Sequence, residues 1–143
     1  LMKTQSFSNH VRIHPLYHYV AVPVSLALIP AALVHTVLNF SLGSVILLLA
    51  TIILHLTVFL SRDYAKKNQD RIIRSELRLR YYQLTRQRLE EIEDQFSVSQ
   101  LLALRFASDD EFVEMFLNPD VKQKTPEQIK KQITQWSPDW MRV

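Results

Sequence analysis

YHYVAVPVSLALIPAALVHTVLNFSLGSVILLLATIILHLTVFL, residues 17–60, is the stretch that decides the fold. It sits within a longer run, residues 13–61, that holds no Asp, Glu, Lys or Arg, and every acidic residue of the chain lies at Asp63 or later. Such a run is too long for one membrane span of about 20 residues and suits two joined by a tight turn. Residues 17–38 and 42–60 are the expected spans, with Asn39, Phe40 and Ser41 between them. At about 1.5 Å per residue each crosses a hydrocarbon core of about 30 Å. Both are expected to be helical, because an unpaired backbone group in lipid costs several kcal/mol and an open segment leaves many. The run also does not read as a signal peptide, whose apolar region spans only about 7–15 residues before a small-residue cleavage site.

Outward from this run the composition splits. The mean hydropathy of −0.02 averages a very apolar first part with a charged second part. The 143 residues include no Cys, which removes disulfides, thiolate metal sites and Cys nucleophiles. The connecting turn carries no cation, whereas Lys3 and Arg12 precede the first span and Arg62, Lys66, Lys67, Arg71 and Arg74 follow the second. The positive-inside rule therefore predicts a multi-pass protein of the bacterial inner membrane with both termini cytoplasmic. Tyr17, Tyr19 and Tyr64 sit where an interfacial aromatic belt belongs.

Pro23 and Pro30 fall seven residues apart and so on nearly one face of the first span, freeing the carbonyls of Tyr19 and Leu26. They read as structural kinks or as a hinge for gating. His55 is the intramembrane ionisable residue with a functional reading, since such groups are costly and face protein or a cavity. Counting from the turn, it lies opposite residues 22–28. It is either a neutral imidazole donating to Ser25 or to a proline-freed carbonyl, an axial ligand to a haem or chlorophyll shared with another hairpin or subunit, or a group for proton transfer or lipid contact. His35 and His18 fall near the two interfaces. His10, His14 and His18 recur every four residues and would form a metal-binding stripe on a helix, but Pro15 disfavours the helical conformation at His14.

Beyond residue 60 the second span is expected to continue into water as a stem helix to about Leu84, for the segment has no Gly or Pro. Asp63 with Lys67, Asp70 with Arg74 and Glu76 with Arg80 are acid-first pairs at i,i+4. Ile73, Leu77, Tyr81 and Leu84 make an apolar stripe that seeks a partner. Arg71, Arg74 and Arg78 make a basic stripe. Its closeness to the bilayer points to anionic headgroups or an acidic subunit, each cation near the surface being worth about 1 kcal/mol, and away from nucleic acid. Residues 61–88 hold nine Lys or Arg against three acids, a net +6, and residues 89–143 hold six against eleven, a net −5. The distal part is thus expected to fold back on the basic stem or to dock a basic partner.

Three helix starts share one chemistry: Ser97 with Gln100, Ser108 with Glu111, and Thr125 with Gln128 each place a hydroxyl cap three residues before an acid or amide. Pro126 adds a first-position proline. Short helices are predicted over about 98–106, 109–117 and 126–135. Asp109, Asp110 and Glu111 read as first-turn acids favoured by the helix dipole, not as a carboxylate site. The apolar residues here, from Leu101, Leu102, Leu104, Phe106, Phe112, Val113 and Phe116 to Ile129, Ile133, Trp136 and Trp140, suffice for a small core but not for a robust independent domain, so packing on the stem or on a partner subunit is expected. The expected organisation is all-α: an N-terminal segment (1–16), a transmembrane hairpin (17–60), a basic stem and linker (61–96) and a small helical module (97–143).

QSFSNHVRIHPLYHY (5–19), NQDRIIRSELRLRYYQLT (68–85), LLALRFASDDEF (101–112) and TPEQIKKQITQWSPDWMRV (125–143) together resemble a family of small two-span bacterial membrane proteins known only as a domain of unknown function. The resemblance covers nearly the whole chain and implies the same hairpin and helical tail, with no activity and no catalytic residues. Members often carry Gly after the Thr of the RLRYYQLT block, where this chain has Arg86.

The residues thus lead to the expectation of a non-catalytic accessory or scaffold subunit of a larger membrane complex, with lipids, other subunits or a second copy as partners. Its partner-binding residues would be Arg71, Arg74, Arg78, Ile73, Leu77 and Tyr81. The alternatives are a haem- or chlorophyll-associated subunit using His55, and a self-assembling sensor of anionic lipid. No pair of catalytic groups can be placed together from the sequence.

Overall fold

The computed structural model describes residues 5–9 and 13–139. Lys3, His10, Arg12 and Trp140, which figure in the expectations above, lie outside the described residues. The architecture is all-helical, with α1 (Val22–Leu38), α2 (Leu42–Thr85), α3 (Val98–Leu104), α4 (Asp109–Leu117) and α5 (Pro126–Gln132). The described chain forms two compact units, residues 13–67 and residues 5–9 with 68–139. Two helical stretches, Leu16–Leu38 and Leu42–Thr85, are long and apolar enough to cross a membrane.

In the first unit a π-helical turn, Leu16–Ala21, leads into α1, and the Val22 N–H donates to the Tyr17 carbonyl. The wide turn has a local cause: Pro23 has no N–H, and its ring would strike the Tyr19 carbonyl of a regular helix. Pro30 lies inside α1. α2 starts at a reciprocal cap, the Ser44 N–H donating to Ser41 Oγ (3.1 Å) and the Ser41 N–H to Ser44 Oγ (3.0 Å). Small residues line the face between the helices: Ser25, Ala32 and Thr36 on α1 and Ser44 and Thr51 on α2 are buried. The Thr36 hydroxyl bonds the carbonyls of Ala32 (2.8 Å) and Ser44 (3.0 Å), so α1 and α2 are tied near their turn. Such packing lets two helices approach closely without large side chains between them.

The second unit is built on the last part of α2. Ile73, Leu77 and Tyr81 are buried with Leu89, Phe96, Leu101, Leu104, Phe106, Phe112, Phe116, Val121, Ile129 and Ile133. Tyr81, Phe96 and Phe112 meet Phe116 edge-on, with ring centroids 5.5, 5.1 and 4.9 Å away. Each such pair adds about 0.5–1.5 kcal/mol beyond the area it buries. The expected break between linker and module at residue 96 is not a break in packing, since Leu89 and Phe96 belong to the same core.

α2 ends at Thr85, and Arg86 adopts a left-handed conformation, φ 62, with its N–H donating to the Tyr82 carbonyl (2.9 Å). This is the position where Gly is at ease in a helix cap, which accounts physically for the Gly implied there by the resemblance. The chain then makes two 3-10 turns, Leu89–Glu91 and Glu93–Gln95. α3 and α5 start at full capping boxes, Ser97 with Gln100 and Thr125 with Gln128. The box expected at Ser108 is only half formed: its hydroxyl accepts from the Glu111 N–H, but the Glu111 carboxylate turns to the N–H groups of Thr134 and Gln135. That capture also shortens the last helix, which stops at Gln132 instead of residue 135. α3 likewise stops at Leu104, because Phe106 to Ser108 pair with the segment around Trp136: the Ser137 N–H donates to the Phe106 carbonyl (2.7 Å) and the Ser108 N–H to that of Gln135 (3.0 Å).

Candidate functional site

His55 lies on α2 where the sequence places it opposite the start of α1. Its Nδ1 is 3.0 Å from Ser25 Oγ, and the Ser25 hydroxyl donates to the Val22 carbonyl (3.1 Å). The direction of the Ser25–His55 bond follows the imidazole tautomer, and either tautomer leaves Nε2 on the side of the ring away from Ser25. The ring also meets Phe59, 4.9 Å between centroids. The partner is therefore Ser25 itself, not a proline-freed carbonyl. His18 is committed elsewhere, its Nδ1 being 2.9 Å from the His14 carbonyl. Among the described residues no group of three or more His, Asp or Glu is placed to hold a metal ion.

The stem carries the richer electrostatics. Glu93, only 3% exposed, is gripped by two guanidinium groups of α2: Arg74 Nη2 lies 2.7 Å from Oε1, Arg78 Nε lies 2.9 Å from Oε2, and Arg78 Nη2 completes a fork to Oε1. The Arg78 fork is the main cause that draws the Glu93 pKa down to about 2; burial opposes it and Arg74 adds to it. Arg80 pins the next turn, with Nε 2.8 Å from Asp109 and Nη2 2.7 Å from the Ala107 carbonyl, its guanidinium lying 4.4 Å from the Phe112 ring centre. At the far end of the unit Arg105 pairs with Asp139 (3.2 Å), and the Asp139 N–H donates to Gln5 Oε1 (2.7 Å), which ties the residues 5–9 into this unit. Glu111 is held below the usual carboxylate range; burial pushes it up, but the Thr134 hydroxyl and the N–H groups of Gln135 and Thr134 outweigh that.

These contacts revise the stem expectations. The stripe Ile73, Leu77 and Tyr81 does not present itself to a foreign partner, because the distal residues of the same chain cover it; Leu84, its last member, stays 41% exposed. Arg74 and Arg78 do not form an open basic stripe with Arg71, since both serve Glu93, and Arg71 alone of the three remains exposed outside the clamp. Of the three i,i+4 pairs, Asp63–Lys67 forms at 2.8 Å. Arg74 and Arg80 abandon theirs for Glu93 and Asp109, whose positions are set by the packed core. Sequence reasoning missed Glu93 and Asp109 as the stem's anchors; the reversal of charge after residue 88 was the signal that pointed toward them.

α2 has a second face opposite the buried one. Ile72 and Leu79, each 59% exposed, and Tyr82, 47% exposed, line it. A shallow groove between them runs along Asn68, Arg71, Ile72, Ser75, Glu76 and Leu79.

Against known proteins, the model of a family of unknown function, DUF6526, matches residues 2–143, and the chain belongs to that family. No curated protein and no solved structure matches it.

Proposed function

We propose that this member of the family is a non-catalytic accessory or scaffold subunit of a larger protein complex in the bacterial inner membrane, with both termini cytoplasmic. The observation that carries the reading is α2: one helix contributes a lipid-compatible apolar surface over its first part and the floor of a folded module over its last. An element of that kind fixes a folded module to a bilayer. The distribution of cations supports the orientation, for the turn between α1 and α2 has none and both flanks are basic. Arg62, Lys66 and Lys67, next to the apolar segment, supply charge for anionic headgroups. Native purification in mild detergent is expected to bring down other proteins in stoichiometric amounts. Elution of the chain by itself, or only with copies of itself, overturns the reading.

A second reading, a haem- or chlorophyll-associated subunit, draws on the His55 ring held at Nδ1 by Ser25, whose Nε2 would be the atom to ligate a tetrapyrrole metal. An absorption spectrum of the purified complex is then expected to show a Soret or chlorophyll band that His55→Ala abolishes; a spectrum without either band removes it.

A further inference from the structure

The face of α2 opposite the core has the spacing of a coiled-coil seam. Asn68, Ile72, Ser75, Leu79 and Tyr82 recur alternately four and three residues apart, which places Ile72 and Leu79 at a positions and Asn68, Ser75 and Tyr82 at d positions of a heptad repeat. All five are exposed, on a helix whose other side is buried under its own module. Ser75 is no polar obstacle within such a seam, because its hydroxyl already donates to the Arg71 carbonyl (3.1 Å). Arg71 falls at the g position on one flank and Glu76 at the e position on the other, and neither forms an ion pair within the chain among the described residues.

We infer that this seam is where a second copy of the chain docks, as a parallel two-stranded coiled coil. The charges choose both occupant and direction. In a parallel pair the g residue of one strand meets the following e residue of the other, so Arg71 faces Glu76 of the partner twice, once on each side of the two-fold axis. In an antiparallel pair g meets g and e meets e, which would set Arg71 against Arg71 and Glu76 against Glu76. The membrane reading, on which the inference rests in part, independently requires the parallel arrangement: copies inserted with one orientation send their stems out side by side. The β-branched Ile72 at an a position suits a two-stranded pair.

The chain has no Cys, so a single introduced thiol reports without background. In a parallel seam equivalent d positions face each other within disulfide reach, and Ser75→Cys in the full chain, in membranes under mild oxidation, is expected to yield covalent dimer at least about tenfold above Gln123→Cys on the exposed surface of the module. Arg71→Glu in the Ser75→Cys background should cut that yield severalfold, and adding Glu76→Arg should restore it by rebuilding the pair with exchanged signs. Cross-linking no better than the Gln123→Cys control, capture of a different protein by Ser75→Cys, or failure of the double reversal to restore the yield would overturn the seam. Each of these is read on the chain's contact with itself, whereas the accessory reading stands or falls on what else co-purifies.

Discussion

Inside the unit of residues 13–67 the covered side chains are Ser25, Ala32, Thr36, Ser44 and Thr51, while Val37, Leu38, Phe40 and Leu42 point outward at 73–84% exposure. Inside the unit of residues 68–139 the covered ones are Tyr81, Phe106, Phe112, Phe116 and Leu104, and the charges lie mostly outside. In the first interior close backbone approach and hydroxyl bonds hold the helices, and the large apolar residues turn outward. The second is what water imposes, with burial as the driving term. One helix, α2, serves both arrangements, and its covered face changes from Ser and Thr to Ile, Leu and Tyr along the way.

Substitutions can test this contrast. The largest effect is expected at Phe112, fully buried among Tyr81 and Phe116: Phe112→Ala should cost about 3–5 kcal/mol in the second unit, read by chemical denaturation, and leave the hairpin intact. A loss shared by both units would show that the two do not respond separately. Next comes Glu93→Gln, which leaves two guanidinium groups without their anion; because both are partly solvated, the expected cost is about 2 kcal/mol. The same group gives the wild type an acid limit. A carboxylate whose pKa falls on folding, here to about 2 from 4.5, contributes stability that is complete above about pH 4.5 and is lost as pH falls through the folded value. An acid titration should therefore show a steeper decline between those values for the wild type than for Glu93→Gln. Arg86→Gly works in the other direction, relieving a left-handed residue at the end of α2, and should stabilise by about 1 kcal/mol without altering the spectrum of helicity. The smallest effect is expected in the hairpin. Ser25→Ala removes the hydrogen-bond partner of His55 and should cost only about 0.6 kcal/mol by unfolding in mixed micelles. A cost as large as that at Phe112 would mean that this interior obeys the rules of the other.

Much of this was legible beforehand. The absence of charge over residues 13–61 pointed to two helices and their turn, and α1 and α2 meet at Asn39 to Ser41 as expected. Hydroxyl caps located the starts of α3, α4 and α5, because capping depends on residues adjacent in sequence. Helix ends were harder. α3 stops early because backbone around Phe106 pairs with the segment around Gln135, and α5 because Glu111 takes the N–H groups of Thr134 and Gln135, both across a sequence separation that no local pattern encodes. The partners of Arg74 and Arg80 failed for the same reason, an i,i+4 acid being near in sequence but weaker than a carboxylate held in place by a core. The face of Ile72, Leu79 and Tyr82 stood in the sequence all along, masked by the stripe of Ile73, Leu77 and Tyr81 on the opposite side of the same helix.

The Glu93 clamp also divides the stem's cations by their response to ionic strength. At physiological salt the screening length is about 8 Å, so Arg71 and its exposed neighbours lose most of their reach toward any anionic group outside the chain as salt is raised. Arg74 and Arg78 hold a carboxylate that is out of water, and that attraction is screened far less. A high-salt wash should accordingly strip whatever is bound to the stem by charge while leaving the second unit folded, so docking and folding can be separated without a single mutation.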